Sequence, residues 1–280
     1  MHSILVTVDD TPSCVAAKGL ALSLARRTGA AIRGVTGVDL SDIDQMEPAP
    51  IGGAGYAYAR LQHRNEQAKQ RRERIAELPE AFRRSLAADG VEAPCHTIES
   101  DIRDELLRMV ETCDLVVTGR DAEFHLEPVE GMTPLVEHIV SRGCRPVIVT
   151  NAEGGSGGGP VLVAYDGSAA AAKSLQAAAL LGIFHSSAAR VVSVCQDRAE
   201  AADIAGRARA FLKPYGIEVD TDAVGSSDDP ADVLSKRAAD TDARMLVMGA
   251  FGHRGFREIL FGSSTRRLFD AVPLPLFIYH

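Results

Sequence analysis

The sequence predicts two α/β domains in tandem, each an open five-stranded parallel sheet with helices on both faces. Three observations carry that prediction: an internal repeat, strands that alternate with helical patterns, and a glycine-rich segment between the repeats. Ile4-Leu-Val-Thr-Val-Asp9 lines up with Val161-Leu-Val-Ala-Tyr-Asp166. Asp114-Leu-Val-Val-Thr-Gly119 lines up with Arg244-Met-Leu-Val-Met-Gly249, and Pro146-Val-Ile-Val with Pro275-Leu-Phe-Ile. The elements come in the same order in both halves.

The first half carries an insertion. Residues 39–59 hold Pro48, Pro50, Gly52, Gly53 and Gly55 and predict a loop. A charged helical stretch follows over about 60–88, and Pro79 should kink or divide it. Its Arg and Lys residues are interleaved with Glu66, Glu73, Glu77 and Glu80, so a solvated helix face is the expected role. Asn151-Ala-Glu-Gly-Gly-Ser-Gly-Gly-Gly159 cannot bury apolar surface and predicts a flexible linker. The domains are therefore expected at 1–150 and 160–280, with 151–159 between them. In the second half, strands are expected near 160–166, 189–195, 217–223, 244–249 and 275–279. Helices are expected near 168–182, 199–214, 229–239 and 263–270. Continuous apolar runs such as Met245-Leu-Val-Met248 suit strands buried on both faces. The last strand of each half, Val147-Ile-Val149 and Leu276-Phe-Ile278, is apolar and expected at a sheet edge. Such edges invite pairing, either between the halves as a pseudo-dimer or between chains as a homodimer.

Bulk composition excludes some functions. A net charge of −8 and a pI near 5.5 disfavour nucleic acid as a partner. No run approaches about 18 apolar residues, so no membrane span is expected. The N-terminus lacks a basic segment followed by a long apolar stretch, so it is not read as a secretory signal. The five cysteines include no CxxC pair and point to reduced thiols in the cytoplasm.

The chemistry concentrates in Met248-Gly-Ala-Phe-Gly-His-Arg-Gly-Phe-Arg-Glu-Ile-Leu-Phe-Gly-Ser-Ser-Thr265. Gly249 suits the turn out of the fourth strand, and Gly252 lets main chain approach a ligand. Gly262-Ser263-Ser264 opens a helix, whose free N–H groups suit phosphate oxygens. His253, Arg254 and Arg257 add donors. Each feature alone is equally a strand end or an ordinary helix cap; together in one strand–loop–helix unit they point to a phosphate cradle. If the first and fourth strands flank the point where the strand order reverses, Asp166 and Gly249 converge there. Asp166 then faces a ribose or base, holds a metal, or caps the helix that follows Gly167 and Ser168.

The spacing G-x2-G-x9-G-[ST], met by Gly249, Gly252, Gly262 and Ser263, resembles the ATP-binding loop of universal stress proteins. The opening VLVAYDGS at 161–168 and Asp229-Pro-Ala-Asp-Val-Leu are similar to other segments of that family. The resemblance covers both halves. It implies a Rossmann-like strand order of 3-2-1-4-5 and ATP, alone or with Mg²⁺, as cofactor. The implied site comprises Asp166, Gly167, Ser168, Val194, Met248, Gly249, Gly252, His253, Arg254, Gly262, Ser263 and Ser264. Asp166 and Val194 would lie near the nucleoside; the loop glycines and serines would lie along the ribose and phosphates.

The first half departs from the pattern. Ala122 replaces the second glycine, Gly131 comes one residue early, and Met132-Thr133 stands where Ser-Ser would be. Asp121, Glu123, Glu127 and Glu130 add acids. A like charge about 4 Å away costs roughly 1–4 kcal/mol, so these acids oppose a triphosphate. One nucleotide per chain is expected, in the second half. The leading expectation is a cytoplasmic ATP-binding stress protein that forms a homodimer and answers to a regulatory protein partner. The alternatives are a slow ATP hydrolase, with His253 and Asp166 as candidate bases, and a nucleotide-independent interaction module.

Overall fold

The computed structural model describes residues 1–39, 54–100, 102–122, 124, 135–152, 157–185, 187–249, 272 and 274–280. The first half contains β1 (Ser3–Thr7), α1 (Pro12–Thr28), β2 (Ala31–Asp39), α2 (Ala54–Ile75), α3 (Leu78–Ala87), β3 (Cys95–Ser100), α4 (Ile102–Glu111), β4 (Leu115–Gly119), α5 (Leu135–Arg142) and β5 (Val147–Thr150). The second contains β6 (Val161–Ala164), α6 (Ala169–Leu180), β7 (Ala189–Cys195), α7 (Arg198–Leu212), β8 (Val219–Gly225), α8 (Pro230–Asp240), β9 (Met245–Gly249) and β10 (Leu276–Tyr279).

All ten strands belong to one sheet, ordered β3-β2-β1-β4-β5-β10-β9-β6-β7-β8. Within each half this is the 3-2-1-4-5 order, with every neighbouring pair parallel. The halves meet through β5 and β10, which pair antiparallel with Phe277 opposite Ile148. Both of those side chains are fully buried. The apolar last strands therefore satisfy each other within the chain. Both are interior strands, so neither offers an edge to a second copy, and a homodimer must use another surface.

Alternating strand residues feed two buried layers, one on each face. On one face Ile4, Val6, Leu115 and Val117 pack with Ala17 and Ala21 of α1, Phe82 of α3, Leu175 of α6 and Ala205 of α7. On the other, Leu5, Val116, Leu246 and Met248 pack with Leu106 of α4, Ile139 of α5 and Leu234 of α8. Each layer runs through both halves, so the sheet is covered on both sides as the apolar strands require.

Two local expectations are modified. Helix α2 begins at Ala54, inside the stretch expected as loop. The divide near Pro79 does appear: α2 ends at Ile75 and α3 starts at Leu78 with Pro79 in its first turn, where a missing N–H costs nothing. The end of the glycine-rich segment is held rather than loose. Gly159 N–H donates to the Asp242 carbonyl at 2.8 Å, Gly158 N–H to Asp242 Oδ2 at 2.9 Å, and Arg244 Nε–H to the Gly159 carbonyl at 3.0 Å. Side chains at 157 or 159 would collide with the carbonyls of Ala243 and Thr241, so glycine is needed for this approach.

Candidate functional site

The strand order of the second half reverses between β6 and β9, which makes the gap past their carboxyl ends its topological switch point. Register brings the sequence-derived residues to that gap. Ala164 lies opposite Met248 on one side and Val192 on the other. Tyr165 and Asp166 therefore leave the sheet beside Gly249 and Val194. Val194 in turn lies opposite Val224, and both half-buried side chains pack against the core on the α8 face.

Asp166 does not cap α6. Its Oδ1 accepts the Ser168 N–H at 2.9 Å, which braces the turn at Gly167. The cap is Ser168, whose Oγ accepts the Ala171 N–H at 3.1 Å. Gly167 sits at φ 78°, a left-handed conformation that favours glycine. The second carboxylate oxygen of Asp166 has no partner among the described residues, and the side chain is only partly buried.

Gly249 is needed for a different reason from the one its place in the sequence suggests. Its φ is not positive; what it lacks is room. An added Cβ would lie 2.5 Å from the carbonyl carbon of Ala170 and collide with the Ala171 nitrogen. The glycine lets the first turn of α6 seat directly on the end of β9. That turn leaves the N–H groups of Ala169 and Ala170 without intrahelical acceptors, so it contributes positive potential at the edge. Gly119 does the same for α1, where a Cβ would lie 2.6 Å from the Cys14 nitrogen.

Two buried serines that sequence reasoning missed fix this arrangement. Ser174 Oγ–H donates to the Met248 carbonyl at 2.7 Å, and Ser193 Oγ–H donates to the Tyr165 carbonyl at 2.7 Å. The available signal was a hydroxyl within an apolar helix stripe and within an apolar strand. The Met248 side chain is 2% exposed in the core, and its carbonyl accepts the Ser174 hydroxyl. Gly252, His253, Arg254, Gly262, Ser263 and Ser264 lie outside the described residues.

The matching edge of the first half carries different side chains. Asp9 aligns with Asp166, and Asp10 stands where the second half has Gly167. Arg74 of the inserted α2 reaches Asp10 through two hydrogen bonds, at 2.6 and 2.7 Å. Arg72 of the same helix bonds Glu99 of β3 at 3.1 Å. The insertion thus lies along the carboxyl edge of its own half. Ala122 and Phe124, which align with Gly252 and Arg254, are both buried, Phe124 completely. Phe124 belongs to the same core layer as Leu135 and Ile139. Apolar side chains and an ion pair stand where the second half has glycine and arginine in sequence.

The Arg74 hydrogen bond holds the Asp10 carboxyl down at about 2, below its ordinary 3.8. A depressed folded value stabilises above the unfolded value and is lost as pH falls through the folded one. The latch should therefore be complete above pH 4 and fail between about 3.8 and 2. Both side chains are partly exposed, which limits its contribution to about 1 kcal/mol or less. Arg74→Ala is expected to open α2 to limited proteolysis at neutral pH, whereas the unaltered chain should resist. Equal cleavage of both would show that the pair holds nothing down.

Among the described residues, no group of three or more His, Cys, Asp or Glu side chains is arranged to hold a metal, and no disulfide is present.

Fold and register together define a tandem α/β protein whose halves are open parallel sheets of order 3-2-1-4-5. The universal stress protein family model matches residues 1–132 and 159–280, and the chain belongs to that family. The crystal structure of a universal stress protein from Archaeoglobus fulgidus DSM 4304 is similar over 99% of this chain and 95% of that one, at 18% identity and a TM-score of 0.70. A Pseudomonas aeruginosa UCBPP-PA14 structure described as a universal stress protein covers 100% of this chain and 93% of its own, at 16% identity and a TM-score of 0.58. At these identities the likeness speaks for the fold. No curated protein matches the chain.

Proposed function

We propose that residues 160–280 form a domain that binds one adenine nucleotide, ATP, at the carboxyl edge of β6 and β9. Residues 1–150 form its nucleotide-free counterpart, and 151–159 connect the two. The observation that carries this reading is the seating of the α6 first turn against Gly249, beside an Asp166 carboxylate oxygen that has no partner among the described residues. The donor set fits the ligand. Val194 and Val224 offer an apolar wall for adenine, and Asp166 can accept from ribose hydroxyls. Main chain at Gly249, Gly252 and Gly262, the Ser263 and Ser264 hydroxyls, and the His253 and Arg254 side chains suit phosphate oxygens, with or without Mg²⁺. Nucleotide occupancy would then set how this cytoplasmic protein engages a regulatory protein partner.

Slow hydrolysis is the second reading, with Asp166 and His253 as candidate bases; Asp166 Oδ1 is engaged by the Ser168 N–H, and His253 lies outside the described residues. The interaction-module alternative loses its motive, since β5 and β10 pair with each other. Calorimetric titration with ATP tests the proposal. Binding should be measurable, and Asp166→Ala should weaken it about tenfold or more, as loss of a hydrogen bond to a charged group would. No heat of binding with ATP, ADP or AMP would overturn it.

A further inference from the structure

The opposite edge of the second half holds a different feature. At the amino ends of β6 to β9 lies a cleft of about 660 Å³, lined by Gly158, Gly159, Ser187, Arg190, Arg209 and Arg244 among others. Its arginines are under-compensated. Arg190 pairs with Asp220 at 2.8 Å, yet its Nε is buried with no partner among the described residues. Arg244 spends its donors on neutral oxygens: the carbonyls of Gly159 and Gly158, and Ser187 Oγ at 2.8 Å. No carboxylate pairs with Arg244 among the described residues. Arg209 has neither a hydrogen bond nor an ion partner among them.

A fourth guanidinium arrives from the first half. Arg27 of α1 donates to the His185 carbonyl at 3.1 Å. Burial lowers its affinity for its proton, and the nearby charge of Arg244 lowers it further. Glu218 lines the cleft on the other side. Several like charges thus converge at one edge of a chain whose net charge is −8. An oxyanion with several acceptor atoms would satisfy the open donors and relieve the repulsion at once.

We propose that this cleft binds a phosphate-bearing small molecule, with the phosphate between Arg209 and Arg244. An adjoining hollow of about 500 Å³ shares Ser187 and Glu218 and adds His185 and Tyr215. Those rings offer a flat surface for the rest of the ligand. The site is separate from the nucleotide edge, since β9 runs between Arg244 at one end and Gly249 at the other.

The test uses inorganic pyrophosphate titrated into the full chain held at saturating ATP, followed by calorimetry. A second binding event is expected. Arg209→Ala should weaken it at least tenfold while leaving ATP binding unchanged, because Arg209 is exposed and has no partner among the described residues. Arg209→Lys should recover part of the affinity, and Lys236→Ala on α8 should have no effect. No pyrophosphate binding at millimolar concentration, or equal affinity in Arg209→Ala, would overturn the proposal. If ATP itself does not bind, the same titration without nucleotide still reads the arginine cleft, so the two readings fail separately.

Discussion

Gly249→Ala is expected to destabilise the chain by about 3 kcal/mol and to abolish nucleotide binding together. The cost follows from overpacking: a single methyl group must enter a space bounded by main chain, which cannot rotate away as a side chain could. An added Cβ meets the Ala170 carbonyl carbon at 2.5 Å and its oxygen at 2.8 Å. The first turn of α6 must move off β9. For a chain of this size, such a loss should lower Tm by roughly 6–12 °C. The same displacement moves the Ala169 and Ala170 N–H groups and the Asp166 turn, so affinity falls with stability. Gly119→Ala provides the contrast. It meets an equivalent clash with α1 at Ser13 and Cys14, and should cost similar stability without touching nucleotide affinity. Calorimetric melts and ATP titrations of the two variants separate packing from binding. A Gly249→Ala protein that melts like the parent would contradict the close-approach explanation.

The second large effect is expected from Gly252→Val with Gly262→Val. Each valine keeps the ligand's phosphates away from main-chain N–H groups. Charge-assisted hydrogen bonds contribute about 1.5–3 kcal/mol each, so losing two should cost at least about 3 kcal/mol. Affinity should drop by 100-fold or more. The reverse change in the first half, Ala122→Gly, should create no second site. Arg74 on Asp10, the buried Phe124 and the acids after β4 all remain. ATP binding that survives the double valine variant would place the ligand elsewhere.

Much of the fold was legible because the repeat and the apolar strands state it directly. Met245-Leu-Val-Met248 fits a strand covered on both faces, and its place beside Val161-Leu-Val-Ala164 followed from the strand order that the family resemblance implied. The pairing of β5 with β10 was half legible. Apolar edges announce that they pair, but intrachain and interchain partners look alike in sequence. Gly249 was found for an incomplete reason, since spacing along the chain does not reveal which helix crosses a position in space. That the Met248 side chain points into the core was not legible, because adjacency to a glycine loop says nothing about which way a strand residue points. The docking of α2 was not legible at all. Arg74 sits among interleaved glutamates that describe a solvated face, and only tertiary packing singles out Asp10 as its partner. The amino-edge cleft has no motif either, because Arg190, Arg209 and Arg244 come from three separate elements.

The decisive measurement is the number of nucleotides bound. Equilibrium dialysis against ATP, followed by denaturation and quantification of the released nucleotide, gives that number directly. The chain contains no Trp, so its own absorbance will not mask adenine near 260 nm. One adenine nucleotide per 29.8 kDa chain is expected, falling to zero in the Gly252→Val, Gly262→Val variant. Two per chain, none, or one that survives that variant would contradict a single site at the carboxyl edge of the second half.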